Sequence, residues 1–278
     1  MVLKLKEFVS GKLPIKSKGY TTFVAWFDDH FPHNLFFDAK LQVLKEDTPD
    51  YLILGGDMLN MDPFNHWAKK VPKQTRNLPI AKPYYEMANE EFFKPIRQAV
   101  GKKTKIVYIM GNHENWADKA VEMLPEGEGY FEVINNIDHK YLDYFVPAKH
   151  GISLGNLWFY HGDNIPFSKN QHAKKMATYL HRNVMFGHYH DYEIHSLSVA
   201  VDEEPIVAMA IPCSTICNPQ SYGKDMPHNR SDGFGYGEIR PNGSFDAKIA
   251  LIREGEFVYR DKRYKSKQLT PRSLDYEL

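Results

Sequence analysis

The sequence predicts an α/β fold, with strands and helices alternating in its first half and strands prevailing in its second. Three observations carry this. Short β-rich apolar runs at 21–27, 51–54 and 106–110 alternate with helically spaced segments at 35–45, 84–100 and 116–124, the pattern of parallel strands joined by crossover helices. Beyond residue 144 the apolar runs are strand-like, with one helical stretch at 170–181. Near the end, PNGS separates the runs 237–240 and 245–252, a strong hairpin signal.

In order, the first strand stops at Asp28, the second at the pair Gly55 and Gly56, and the third at Gly111. In an open α/β sheet functional groups gather beyond the carboxyl ends of parallel strands, so Asp28, Asp57 and Asn112 are expected at one edge. Residues 60–82 are rich in Pro, Lys and aromatics with little periodicity, and read as a functional loop over that edge. Strands are then expected at 144–146, 151–160 and 184–186, and at 193–201 and 206–211 around a turn at 202–205. No internal repeat or low-complexity segment is evident.

The 278 residues are 42% hydrophobic and 14% aromatic, enough for a sizeable core, and a single domain over 1–278 is expected. The 35 basic residues balance 35 acidic ones, which excludes a dedicated DNA-coating protein. Cys213 and Cys217 are too few for a disulfide framework and lack the second pair of a structural zinc site; a cytoplasmic location is expected. Neither a signal peptide nor a membrane span is recognisable, so no membrane partner is expected.

The chemistry lies in five polar segments in order: FDDH, GGD, GNHE, YHGD and GHYH. They supply Asp28, His30, Asp57, Asn112, His161, His188 and His190, oxygen and nitrogen donors suited to two divalent cations. Asp-x-His at 28–30 and His-x-His at 188–190 are expected to present paired ligands on one side of an extended chain. Asp57 suits a bridging position because a carboxylate offers two oxygens. Asn112 adds an amide oxygen without charge, and His113 is left for proton transfer. Such donors accept Mn²⁺, the foremost expectation, as well as Fe, Zn²⁺ or Ni²⁺.

FDDHFPHN, LILGGD, YIMGNHE, FYHGD and MFGHYHD together resemble the successive motifs of calcineurin-like metallophosphoesterases, especially compact prokaryotic and phage-type members, over residues 21–191. The resemblance implies a four-layer sandwich, two mixed β-sheets face to face flanked by α-helices. It also implies that Asp28, His30, Asp57 and His190 bind one metal, and Asp57, Asn112, His161 and His188 the other. One position departs from the pattern: where many members carry a carboxylate that orients the catalytic histidine, this chain has Asn60, and Asp62 is the alternative support for His113.

The expected activity is hydrolysis of phosphate esters by a metal-bridged hydroxide, with His113 protonating the leaving oxygen and Asn112 assisting at the phosphoryl group. Nucleotide or nucleic-acid phosphodiesters are the favoured substrates, because His66, Trp67, Lys69, Lys70, Lys73 and Arg76 combine rings for stacking with positive charge. His33, Asn60, His66 and Arg230 are the candidate substrate-binding residues. A protein or small-molecule phosphomonoesterase is the alternative, and a non-catalytic scaffold on the same fold a third reading. The basic run 260–267 is expected to be a solvated tail. Oligomeric state is not legible.

Overall fold

The alternation of the first half builds one sheet, and the strand-rich second half most of another. In the computed structural model, residues 6–7, 11–64, 78–164, 171–198, 200, 204–215 and 231–270 are described. The elements run β1 (Lys6–Glu7), β2 (Gly11–Leu13), β3 (Thr21–Trp26), α1 (Phe37–Glu46), β4 (Tyr51–Leu54), α2 (Leu78–Ala88), α3 (Lys94–Val100), β5 (Lys105–Ile109), α4 (Glu114–Met123), α5 (Val133–Asn136), β6 (Tyr144–Val146), β7 (Gly151–Leu154) and β8 (Leu157–Tyr160). Then come α6 (His172–Leu180), β9 (Val184–Phe186), β10 (Glu193–Leu197), β11 (Ile206–Ala210), β12 (Asp232–Ile239), β13 (Phe245–Ile252), β14 (Glu256–Tyr259) and β15 (Lys262–Lys265).

A seven-stranded sheet has the order β1-β6-β5-β4-β3-β12-β13, and a six-stranded sheet the order β10-β11-β9-β8-β7-β2. Both are mixed: β3, β4, β5 and β6 run parallel, whereas β12 joins β3 antiparallel. The alternation of side chains along each strand decides the layers. Phe23 and Ala25 of β3, Ile53 of β4 and Val107 and Ile109 of β5 point inward against Phe159, Met185 and Met209 of the second sheet. Val24, Trp26, Leu52, Leu54 and Tyr108 point outward under the helices of the first half. On the far side, Ala173, Met176 and Ala177 of α6 cover Tyr160, Val184 and Phe186. This is the four-layer arrangement expected. Phe23 meets Phe159 edge to face at 5.2 Å, and each such buried ring contributes on the order of 1.5–3 kcal/mol by leaving water.

Several elements differ from expectation for identifiable reasons. The run 151–160 is two antiparallel strands, with Leu154 opposite Leu157 across Gly155 at φ 60°; the Gly-Asn pair makes a tight turn. The helix expected over 84–100 begins at Leu78 and passes through a wider π turn at Asn89–Phe93. Pro95 stands two residues beyond it, and its missing N–H and bulky ring disfavour the bond to the carbonyl four residues back. The basic run 260–267 is no free tail, because β14 and β15 form a hairpin on α1. There the Tyr259 hydroxyl donates to Asp47 at 2.6 Å, the Tyr264 hydroxyl to Glu46 at 2.9 Å, and Lys262 pairs with Glu46. Its charges answer the acidic end of α1. Among the described residues no helix is long and apolar enough to cross a membrane.

Candidate metal centre

The loops after β3 and β4 leave their strands side by side and stay tied together. Asp28 N–H donates to Gly56 O at 3.1 Å, His30 N–H to Asp57 O at 2.9 Å and Phe31 N–H to Met58 O at 2.8 Å. The second sheet joins them as Gly187 N–H donates to His161 O at 2.9 Å and His188 N–H to Asp28 Oδ2 at 2.8 Å. Four strand-end loops from both sheets thus meet at one edge.

The backbone there is not the extended one that the Asp-x-His spacing suggested. Asp28, His30, Asp57, His188 and His190 have φ of 53°, 50°, 50°, 71° and 60°. The left-handed conformation costs a non-glycine residue about 1–3 kcal/mol and persists where surroundings enforce it. The paired ligands converge because the chain coils tightly after each strand, not because alternate residues of a strand share a face. Glycine makes the close approach feasible: a Cβ at Gly111 would lie 2.2 Å from Asp57 Oδ1, and one at Gly187 2.3 Å from Asp28 Oδ2.

Two nests of donor atoms result. In the first, buried Asp28 Oδ1 lies 3.4 Å from His190 Nε2 and 3.9 Å from His30 Nε2, and the two Nε2 atoms are 3.3 Å apart. Asp28 Oδ1 has no hydrogen bond among the described residues. Converging lone pairs beside an orphaned carboxylate oxygen fit a cation, whose charge would satisfy all three. In the second, His161 Nε2 lies 3.3 Å from Asp57 Oδ2 and 3.0 Å from Asn112 Oδ1, with His188 completing a possible ligand group with Asp57 and His161. Asp57 also groups with His30 and His113, so it lies between the nests.

Burial alone would push both carboxyls up, but neighbouring imidazoles outweigh it. His190 and His161 hold Asp28 below its usual value, and His161 and His113 hold Asp57 well below. Burial lowers His161, yet Asp57 overrides it and raises the ring to about 10; burial and then His161 drive His188 down to about 4. Burial and then His113 likewise push His30 well down, leaving His30 and His188 neutral and able to ligate. His161 Nδ1 lies 3.2 Å from Gly55 O, so Nε2 is the nitrogen turned to the nest.

A model of the calcineurin-like phosphoesterase family matches residues 18–234. The chain belongs to that family. No curated protein matches it. Among solved structures, similar folds occur in a Vps29 single mutant from Entamoeba histolytica, with 13% identity, 84% of this chain and 99% of that one covered, and TM-score 0.39. They occur also in a conserved predicted phosphoesterase from Streptococcus pneumoniae TIGR4 (13% identity, 90% and 99% covered, TM-score 0.37) and in Chaetomium thermophilum Vps29 (9%, 88% and 98%, 0.42). The family depends on two metal ions, and the donor set here fits such a pair.

Around this phosphoesterase-type centre, His113 is buried beside Asp57, its Nδ1 2.9 Å from the main-chain O of Asn60, its Nε2 3.8 Å from Asp57 Oδ2 and its ring stacked on Trp116 at 4.0 Å. The support expected from an Asn60 or Asp62 side chain comes instead from the Asn60 backbone. Expected to bind substrate, Asn60 turns both ends of its amide onto protein groups: Oδ1 is 3.2 Å from His30 Nδ1, and Nδ2 donates to Asp62 Oδ1 at 2.6 Å. His33 lies at the partly exposed rim, 3.2 Å from Asp62 Oδ2. His66 and Arg230 fall outside the described residues, as do the basic and aromatic residues 67–76.

One residue was missed. Glu114, last of GNHE, is fully buried, and its carboxylate accepts from Asp57 N–H (3.0 Å), Leu59 N–H (3.0 Å), Gly111 N–H (2.9 Å) and the Tyr108 hydroxyl (2.8 Å). It clamps the loops after β4 and β5 together. Burial, then Asp57, pushes its carboxyl up to about 7 against the pull of these donors. A signal existed: a Glu three residues after Gly111, reaching back to its N–H, is half of a capping box.

Proposed function

We propose that this chain is a dinuclear metal-dependent phosphoesterase acting on phosphodiesters of nucleotides or nucleic acid, in the cytoplasm. The observation that carries the reading is the pair of adjoining donor nests that share Asp57, with His113 beside them. Asp28, His30, Asp57 and His190 would hold one divalent cation, Mn²⁺ foremost, and Asp57, Asn112, His161 and His188 the other. When bound, the pair supplies Lewis acidity and a lowered water pKa.

The chain's own groups then have distinct tasks. Asn60 O receives the Nδ1 hydrogen of His113, which directs Nε2 to the centre; from there it can pass a proton to the departing oxygen. Trp116 holds the ring by stacking. Asn112 turns its amide oxygen to His161, which leaves its NH₂ for a phosphoryl oxygen. His33, with Asp62 behind it, is placed to meet a substrate at the rim. The lean toward diesters and nucleobases rests on the basic and aromatic composition of residues 66–76.

The test is a rate comparison in Mn²⁺ of bis-p-nitrophenyl phosphate with p-nitrophenyl phosphate, followed by cyclic nucleotides and single- and double-stranded DNA. Faster turnover of the diester is expected. Preference for the monoester moves the assignment to a phosphomonoesterase, and metal uptake without turnover of any ester moves it to a scaffold.

A further inference from the structure

The Asn60–Asp62 pair lies outside both donor nests yet reaches one ligand of the first. A carboxylate has acceptors only, so Asp62 Oδ1 at 2.6 Å from Asn60 Nδ2 requires the NH₂ end of the amide to face it. The Asn60 oxygen is thereby turned toward His30 Nδ1 at 3.2 Å. An amide oxygen cannot donate, so the hydrogen between them belongs to His30 Nδ1. That leaves His30 Nε2 bare where it meets Asp28 Oδ1 and His190 Nε2. With Asn60 reversed, its oxygen would face the Asp62 carboxylate, acceptor against acceptor, and its NH₂ would face His30 Nδ1. The chain of logic runs from Asp62 through Asn60 to the ligand atom, and His33 Nε2, 3.2 Å from Asp62 Oδ2, anchors its outer end.

We infer that Asn60 and Asp62 are positioning residues that lock His30 in the Nδ1-protonated tautomer and so set the affinity of the Asp28–His30–His190 nest for its cation. The inference rests on the metal reading above and explains the use of Asn at a position where a carboxylate might stand. A carboxylate at 60 would face Asp62, whereas the amide satisfies an acid on one side and an imidazole on the other. His113 is served separately, by the main chain of the same residue, so the side chain at 60 is free to specialise.

Apo protein would be titrated with Mn²⁺ by calorimetry in wild type, Asn60→Leu and the double swap Asn60→Asp with Asp62→Asn, with thermal unfolding as a check on folding. Nitrogen-15 imidazole spectra of the metal-free protein would report the His30 tautomer. Loss of a hydrogen bond that orients a ligating histidine typically weakens metal binding about 10- to 100-fold; Asn60→Leu should lose that much at one of the sites and keep the other. The swap, in which one carboxylate oxygen at 60 accepts from His30 Nδ1 and the other accepts from the amide NH₂ at 62, should bring the affinity back. Wild type with His30 protonated on Nε2, or Asn60→Leu with both affinities unchanged, overturns the inference alone. Wild type that takes up no Mn²⁺ overturns the metal reading and the inference with it.

Discussion

Glu114→Gln tests whether one buried carboxylate holds the centre together. Oε2 accepts from Asp57 N–H and Gly111 N–H, and Oε1 from Leu59 N–H and the Tyr108 hydroxyl. A glutamine of the same shape can keep only one of these oxygens. Its best orientation puts NH₂ toward Tyr108, whose hydroxyl can turn and accept, but Leu59 N–H then faces a donor. One charge-assisted bond is lost, about 1.5–3 kcal/mol, and one buried N–H is left unsatisfied, about 1–3 kcal/mol. The total, about 2.5–6 kcal/mol, corresponds to a fall in Tm of about 5–20 °C for a chain of this size. Because the strained Asp57 lies within the clamp, metal affinity should fall with it. Differential scanning calorimetry of the metal-free protein, with Mn²⁺ titration alongside, measures both. A variant melting within about 2 °C of wild type would falsify the clamp.

Four further outcomes follow from the geometry. Asp57→Asn should abolish metal uptake and turnover together, whereas His113→Ala should keep its metal by elemental analysis and lose about 10²–10⁴ in kcat; a turning-over, metal-free Asp57→Asn protein refutes the assignment. Gly187→Ala puts a methyl 2.3 Å from Asp28 Oδ2 and 2.8 Å from Phe27 Cβ, so calorimetric titration should show the Asp28 nest lost and the other retained; unchanged binding at both would mean that the loop yields freely. In the metal-free chain His161 is raised to about 10, above about 6.5 when unfolded. Its ion pair with Asp57 therefore stabilises fully below the lower value and fades as pH rises through the upper. Metal must displace that proton, so affinity should climb with pH between 7 and about 9, with close to one proton released in calorimetry across buffers of different ionisation heat; no release contradicts a protonated His161. Lys40 and Asp29 form a fully buried ion pair, with the ammonium 4.2 Å from the Trp26 ring centre. Lys40→Met strands Asp29, where burial already raises the carboxyl, and should cost about 3–5 kcal/mol in denaturant unfolding; a loss under about 1 kcal/mol would show the pair to be dispensable.

Strand and helix order was legible wherever hydrophobic period was clean. Residues 51–54 and 184–186 coincide with β4 and β9, and the PNGS hairpin joins β12 to β13. Where local chemistry competed with period, reading was poorer. The Gly155–Asn156 turn was hidden inside an apolar run, and the C-terminal hairpin looked like a basic tail because its partners on α1 lie more than 200 residues away in sequence. The seven candidate ligands were readable as types at strand ends. The left-handed backbone of five of them was not, since φ above zero at an Asp or His is enforced by neighbours rather than by the residue itself.

By itself, the sequence determined which donor atoms this protein carries, in what order, and that they fall at the ends of apolar runs, because side-chain chemistry and hydrophobic period are local properties. Only the tertiary structure decided how those atoms are paired: that Asp57 lies between two nests, that Glu114 ties three backbone N–H groups together, and that Asn60 serves His113 with its carbonyl and His30 with its amide. Such pairings join residues up to 160 positions apart. Their direction depends on where a hydrogen sits between two loops, which no single segment of the chain specifies.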